Sequence, residues 1–125
     1  MIAFDTNYVV RHLVQDDPSQ CKIVAATIAA EVEGGRRILL HDLVLCEVLW
    51  VLESVYAATR SDLLTALKSL AAEAAFAFEN PGRVNTAIES FERGQADFSD
   101  YILLGLCRGA GNEFHTFDKK LKKAI

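Results

Sequence analysis

The sequence lacks the features that define several classes of protein. It has no apolar run of about eighteen residues free of charge, so it predicts no membrane span. Its opening segment, MIAFDTNYVV, carries an acid and no basic stretch, which is not the pattern of a secretory signal. Internal repeats, low-complexity tracts and linker-like stretches are also missing. We therefore expect a single domain over residues 1–125, located in the cytoplasm.

Cysteine and histidine are too few and too scattered for a disulfide framework or a zinc site. Cys21, Cys46 and Cys107 are odd in number, widely spaced and embedded in apolar patterns, and no Cys-x-x-Cys occurs. The 3 histidines also lack the spacing of zinc ligands. The cysteines are therefore expected to be reduced core thiols.

An excess of positive charge is also lacking. The formal net charge of -4 argues against a protein that holds nucleic acid by global charge alone. It does not exclude a nuclease, because acids gathered around a metal lower the net charge. Basic residues do cluster near the end of the sequence: Lys119, Lys120, Lys122 and Lys123. Two interpretations stay open. The favoured one is a solvated helix face, and the other is a surface that contacts phosphates.

Strand and helix signals alternate along the chain. Strands are predicted at residues 2–4, 37–41, 76–78 and 114–117, the first of them buried. Helices are predicted up to Val14, from the cap Asp17 to Gly34, over 43–56, after the cap Ser61, from Asn80 to Gly94, over 98–108, and in the final lysine-rich turn. Two of them have a predicted apolar face: Cys21, Val24, Ala25, Ile28 and Val32 in the helix after Asp17, and Val84, Ala87, Ile88 and Phe91 in the helix that Asn80 opens. This alternation predicts an α/β fold, a short parallel sheet with helices on both faces, whose site lies at the carboxyl ends of the strands.

Three acids lie where such a site is expected. Asp5 follows the first predicted strand, Asp118 follows the last, and Asp100 lies near the start of a helix. Each of them, taken alone, also fits a helix cap or a turn residue.

Glu47 stands in a helix that is apolar on nearly every side. In helical phase it shares a face with Leu43, Trp50 and Val51, which predicts that its carboxylate is buried. Such burial is costly unless the charge is paired or bound to a metal. An ion pair with an arginine is the alternative interpretation.

Taken together, the four acids favour a divalent cation. Two like charges about 4 Å apart repel by roughly 4 kcal/mol at an effective dielectric constant near 20, so converging carboxylates tend to hold protons unless a cation separates them. Oxygen ligands suit Mg²⁺ or Mn²⁺ rather than Zn²⁺. A metal of this kind activates water and stabilises the charge that develops on a phosphate, which is the chemistry of phosphodiester hydrolysis.

The ordered segments IAFDTNYVVRHL, LVLCEVLWVL, ADFSDYILLGLCRGAG and HTFDKKL resemble a PIN-domain ribonuclease, and more narrowly the VapC-type toxins of bacterial toxin–antitoxin pairs. The resemblance spans nearly the whole chain. It implies a short parallel sheet flanked by helices and metal-dependent endonucleolytic cleavage of RNA. It also implies as partners a second copy of the chain and a VapB-like antitoxin, through which a larger assembly binds DNA. Relatives often continue into a final short strand, whereas this sequence ends at Ile125.

By this resemblance, the four acids Asp5, Glu47, Asp100 and Asp118 are catalytic and hold Mg²⁺, Glu47 through a water. The polar neighbours that shape the site are Thr6, Asn7 and Thr116, and Asp97 is an additional acid. Asp97 and Asp100 are three residues apart and are predicted to have different roles. Asp100 is in helical phase with the apolar residues of the helix over 98–108, whereas Asp97 precedes that helix. We expect Asp100 to be a direct ligand and Asp97 a cap or an acid that reaches the metal through water.

Two other functions remain open. A phosphatase of the haloacid-dehalogenase type also begins with a strand and Asp, but it needs a second Asp at the position of Asn7. Hydrolysis of a small phosphomonoester would support that alternative. A catalytically silent PIN-like module that only binds its antitoxin is the other, and RNA cleavage by the purified chain would exclude it.

Overall fold

The computed structural model describes all residues from Met1 to Ile125, in two compact units, Met1–Glu79 and Asn80–Ile125. The first unit contains β1 (Ile2–Ala3), α1 (Thr6–Leu13), α2 (Pro18–Glu33), β2 (Ile38–Leu40), α3 (Asp42–Tyr56), α4 (Arg60–Ala72) and β3 (Phe76–Phe78). The second contains α5 (Pro81–Arg93), α6 (Phe98–Ala110) and α7 (Lys119–Lys122). None of these helices has the length and apolar character needed to cross a membrane.

The three strands form one parallel sheet in the order β1-β2-β3, which confirms the α/β prediction. Ile38 of the central strand pairs with Ile2 on one side and with Phe76 on the other. Ile38 is fully buried, as expected for a parallel strand with covered faces. The prediction of a buried first strand is wrong, because β1 lies at an edge and Ile2 stays 38% exposed. The buried residue there is Phe4, just after the strand.

The fourth predicted strand, at residues 114–117, does not form. Its aromatic and β-branched residues gave a strand signal, and Phe117 is instead 100% exposed. Strand propensity mainly reports how well a side chain packs on a sheet, so a run without a neighbouring strand gains nothing from it. Asp118 therefore follows an irregular segment rather than a strand.

Side-chain caps begin several helices. Asp17 Oδ1 accepts a hydrogen bond from the Gln20 amide at 3.0 Å, as the sequence predicts. The predicted cap Ser61 is wrong, because the N-cap of α4 lies two residues earlier, at Thr59, in a capping box. There Thr59 Oγ1 accepts from the Asp62 amide at 3.2 Å, and Asp62 accepts from the Thr59 amide at 2.9 Å.

The core of the first unit uses one face of each helix. Helix α3 buries Leu45, Val48, Leu49 and Leu52. Of the apolar face predicted for α2, only Val24 is fully buried, and Val32 remains 53% exposed. The small sheet has room for only part of the apolar surface that the helices carry.

The second unit is held together by α5 and α6. The buried stripe of α5 is the predicted one, Val84, Ala87, Ile88 and Phe91. It faces the buried Phe98, Tyr101, Ile102 and Leu104 of α6. The rings of Phe91 and Phe98 meet edge to face, with their centroids 6.1 Å apart.

Gly94 ends α5 at a point where Tyr101 leaves no room for a side chain. A Cβ there would overlap the Tyr101 hydroxyl and lie 3.0 Å from the Ser90 carbonyl oxygen. That hydroxyl accepts a hydrogen bond from the Ala96 amide, which resists its displacement. We expect Gly94→Ala to lower the free energy of unfolding by about 1–3 kcal/mol in urea denaturation. The control is Gly109→Ala, where a Cβ meets nothing within 4 Å, and equal stability of the two variants would contradict the expectation.

Candidate active site

Asp5 lies at the N-terminus of α1, just beyond β1. Its Oδ1 accepts a hydrogen bond from the Tyr8 amide at 3.0 Å, so the residue is the N-cap of the helix. The side chain is exposed. This cap fixes the position of the carboxylate and leaves its second oxygen for another ligand.

The prediction that Glu47 is buried is wrong, because its carboxylate is exposed. Glu47 does share a helix face with Leu43 and Trp50, as predicted, but that face is not the one packed in the core, and the two residues are 68% and 69% exposed. The predicted alternative, an arginine ion pair, does not form either. Thr6 Oγ1 instead donates a hydrogen bond of 2.7 Å to Glu47 Oε2. This bond holds Glu47 against the residue that follows Asp5.

Cys46, the neighbour of Glu47, is not available as a thiolate ligand. Burial raises the pKa of its thiol to about 11, with a further contribution from the negative charges of Asp42 and Glu47. The thiol therefore stays protonated at neutral pH. All three cysteines are free. The candidate donors in this unit are oxygen atoms, which is the donor type that Mg²⁺ prefers.

In the second unit, Asp118 is the N-cap of α7. Its Oδ1 accepts hydrogen bonds from the amides of Lys120 at 2.8 Å and Leu121 at 3.3 Å. Its own amide donates to Thr116 Oγ1 at 3.0 Å. Thr116 therefore holds the backbone of Asp118, whereas Thr6 contacts the carboxylate of Glu47 itself.

Asp97 and Asp100 stand together at the start of α6. Asp97 occupies the N-cap position, as predicted. The hydrogen bond between them runs from the Asp97 amide to Asp100 Oδ2 at 3.3 Å, so the carboxylate of Asp100 takes part in the cap. Asp97 is exposed, whereas Asp100 is half-buried.

The pKa of Asp100 is raised from its ordinary value. Partial burial is the main cause, and the negative charges of Asp97 and Asp118 add to it, against the opposing hydrogen bond from the Asp97 amide. Asp97 and Asp118 are thus each close enough to Asp100 to disfavour its charged form. A nearby cation would relieve this repulsion, and the candidate donors of the second unit are oxygen atoms, the donor type that Mg²⁺ prefers.

The predicted site residues divide between the two units. The first holds Asp5, Thr6, Asn7 and Glu47, and the second holds Asp97, Asp100, Thr116 and Asp118. Within neither unit do three or more His, Cys, Asp or Glu side chains gather closely enough to hold a metal ion.

A cleft of about 250 Å³ opens beside Asp5 between α1 and α2, and it contains residues that the sequence analysis missed. The residues not predicted are Tyr8, Arg11 and Gln20, which line the cleft together with the predicted Asn7. Arg11 Nε donates to Gln20 Oε1 at 2.8 Å, and Arg11 Nη1 donates to Asp16 and Tyr56. These residues have ordinary surface spacing in the sequence, and only the packing of the two helices reveals the group.

Comparison with known protein families gave one match, which includes the candidate site residues of both units. A family model described as the PIN domain matches residues 2–125. Comparisons with curated proteins and with solved structures gave no match. The matched range includes all four predicted acids, together with the threonines that hold two of them.

Proposed function

The chain belongs to the PIN-domain family, and from this premise we propose that it is a single-domain, Mg²⁺-dependent endoribonuclease. PIN domains are typically nucleases, so the substrate class is nucleic acid. The observation that carries the proposal is that the matched range contains all four acids, with Asp5, Asp100 and Asp118 each at the start of a helix.

In the proposed site, Asp5, Asp100 and Asp118 hold Mg²⁺ or Mn²⁺, and Glu47 acts through a water. The bound metal would supply an activated water and stabilise the charge that develops on the phosphate. Thr6 orients Glu47 through its 2.7 Å hydrogen bond, and Thr116 orients Asp118. Supporting partners of this kind fix the geometry of the groups that hold a metal. Asn7 lines the cleft beside Asp5.

The purified chain tests this proposal directly. We expect it to cut RNA in Mg²⁺ and to be inactive in chelator, and sequencing the RNA fragments from cells that express it without an antitoxin would identify the cleavage sites. Hydrolysis of a small phosphomonoester without RNA cleavage would favour the phosphatase alternative. Absence of any cleavage would favour the catalytically silent module.

The finer identity that we propose is a VapC-type toxin, neutralised by a VapB-like antitoxin that inserts a basic side chain among the acids. The toxin would form a homodimer, and the antitoxin would carry a larger assembly to DNA. Three exposed apolar residues of α3, Leu43, Trp50 and Val55, support a protein contact on this helix. The free cysteines favour a reducing, cytoplasmic setting.

Trp50 tests the proposed dimer contact. It is 69% exposed, and buried tryptophans commonly dominate the energy of an interface. We expect Trp50→Ser to weaken dimerisation about 30-fold or more, which corresponds to roughly 2 kcal/mol. The control is Ile23→Ser, on α2, where the side chain is 54% exposed. Light scattering over a range of concentrations measures the effect, and a parent chain that stays monomeric at high concentration would contradict it.

A further inference from the structure

The second unit has a basic cleft next to the Asp118 cap. It has a volume of about 380 Å³ and is formed by the end of α5, the segment after it, Tyr101 of α6 and the final turn. Three of its lining residues are cations, Arg93, Lys120 and Lys123. Two neutral polar side chains, Ser90 and Gln95, also line it. In a chain of net charge -4, this concentration of positive charge is a local feature.

The fold holds the two lysines in place. Lys120 and Lys123 are three residues apart on a helical turn, so they point to the same side. The turn is anchored by the buried side chain of Leu121. It is also tied to α6, because Arg108 donates a hydrogen bond of 2.6 Å to the Ala124 carbonyl. The cleft is therefore a shaped site rather than a row of lysines on a mobile tail.

None of the three cations has a carboxylate partner. The ion pairs of the structure involve other side chains. Like charges gathered on a concave surface repel one another, and an anion bound among them removes the repulsion. The hydroxyl of Ser90 and the amide of Gln95 add neutral donors, as expected for recognition of phosphate oxygens.

We propose that this cleft binds a backbone phosphate of the RNA strand, close to the bond that is cut. The inference rests on the proposed ribonuclease function, and it assigns to that function a binding site for the substrate backbone. The position supports an RNA strand as the occupant, because the Lys120 amide caps onto Asp118, a proposed metal ligand. Contacts to phosphates fix the register of a nucleic acid without reading its bases. Lys120 and Arg93 are thus positioning residues for the substrate.

The chain provides a matched control one residue away. Lys119 carries the same charge on the same short helix, but it does not line the cleft. The test compares Lys120→Gln, Arg93→Gln and Lys119→Gln by fluorescence anisotropy with a labelled single-stranded 2′-O-methyl RNA in chelator. The chelator removes the metal that the proposed cleavage requires, so the assay measures binding alone. Thermal unfolding of each variant establishes that it is folded.

We expect Lys120→Gln and Arg93→Gln each to weaken binding several-fold, and to reduce the slope of log affinity against log salt by about 0.7. Lys119→Gln should change the slope much less. Equal slopes for Lys119→Gln and Lys120→Gln would overturn the proposal. Inorganic phosphate binding more tightly than the RNA would also overturn it, in favour of a small-anion site. If a polyglutamate peptide competes for the cleft as strongly as RNA does, the proposal is likewise overturned, in favour of an acidic protein partner.

These results separate the two proposals. If the chain fails to cleave RNA but the variants show the expected order of slopes, only the proposed chemistry is wrong. If the chain cleaves RNA and the slopes are equal, only the phosphate cleft is wrong. An increase in the KM for RNA without a matching loss of kcat in Lys120→Gln would further support a positioning role.

Discussion

Asp5→Asn is expected to abolish Mg²⁺-dependent cleavage of RNA and to leave the fold intact. The substitution keeps the size of the side chain and removes the charge of a proposed metal ligand. Asn is as good an N-cap as Asp, so its side-chain oxygen can still accept from the Tyr8 amide. Loss of a supporting partner typically lowers metal affinity or activity by about 10–100-fold, and loss of a ligand should exceed this range. Thr6→Ala should fall within it, because Thr6 only orients Glu47.

Asp17→Asn is the matched control for Asp5→Asn. Asp17 caps α2 through a hydrogen bond of 3.0 Å from the Gln20 amide, so it has the same local role without being a proposed ligand. We expect this variant to cleave RNA like the parent. Cleavage rates at saturating Mg²⁺, together with unfolding curves, make the comparison. A folded Asp5→Asn that cleaves RNA as fast as the parent in Mg²⁺, and that keeps this activity in chelator, would show that the mechanism is wrong.

Local sequence signals predicted the parts of the fold that depend on few residues. The caps Asp17 and Asn80 were identified correctly, since a cap bonds to an amide three residues away. The buried stripe of α5 was also identified, because its polar and apolar residues alternate with helical period. The short strands β2 and β3 were found as apolar runs between helices.

The failures concern features that depend on distant partners. Residues 114–117 have strand-like composition but no strand pairs with them, and no local signal reports that absence. Glu47 lies in a helix that is apolar on nearly all sides, so the sequence could not show which face the small core would use. The Thr6–Glu47 bond spans 41 residues. The basic cleft likewise joins Arg93 to Lys120 across three helices, and helix spacing gives no indication of such a group.

The two acids at the start of α6 are predicted to differ in function. Asp100→Asn should abolish RNA cleavage, whereas Asp97→Asn should retain measurable activity. Asp100 is half-buried in the first turn of α6, whereas Asp97 is exposed at the N-cap. In both variants the new amide keeps a hydrogen-bonding oxygen, so Asn at position 100 can still accept from the Asp97 amide. A difference in activity would therefore report the loss of charge rather than the loss of a cap.

The raised pKa of Asp100 adds a stability test to the activity test. A carboxyl whose pKa is higher in the folded than in the unfolded state binds protons more tightly when folded. Its charge therefore destabilises the fold above that pKa, and the effect disappears as the pH falls below the ordinary value of 3.8. At pH 7 in chelator, Asp100→Asn should therefore have a higher melting temperature than the parent.

Mg²⁺ should reverse this order of stability. A ligand that binds only the folded state raises the free energy of unfolding, and the increase grows with the logarithm of the ligand concentration over its dissociation constant. Mg²⁺ should therefore raise the melting temperature of the parent but not that of Asp100→Asn. Thermal unfolding of the parent, Asp97→Asn and Asp100→Asn, each with chelator and with saturating Mg²⁺, measures the crossing. Asp97→Asn should keep most of the increase in melting temperature that Mg²⁺ causes, because the Asp97 carboxylate is proposed to reach the metal only through water. If Asp97→Asn loses both the gain and the cleavage while a folded Asp100→Asn retains them, the roles of the two acids are the reverse of those proposed.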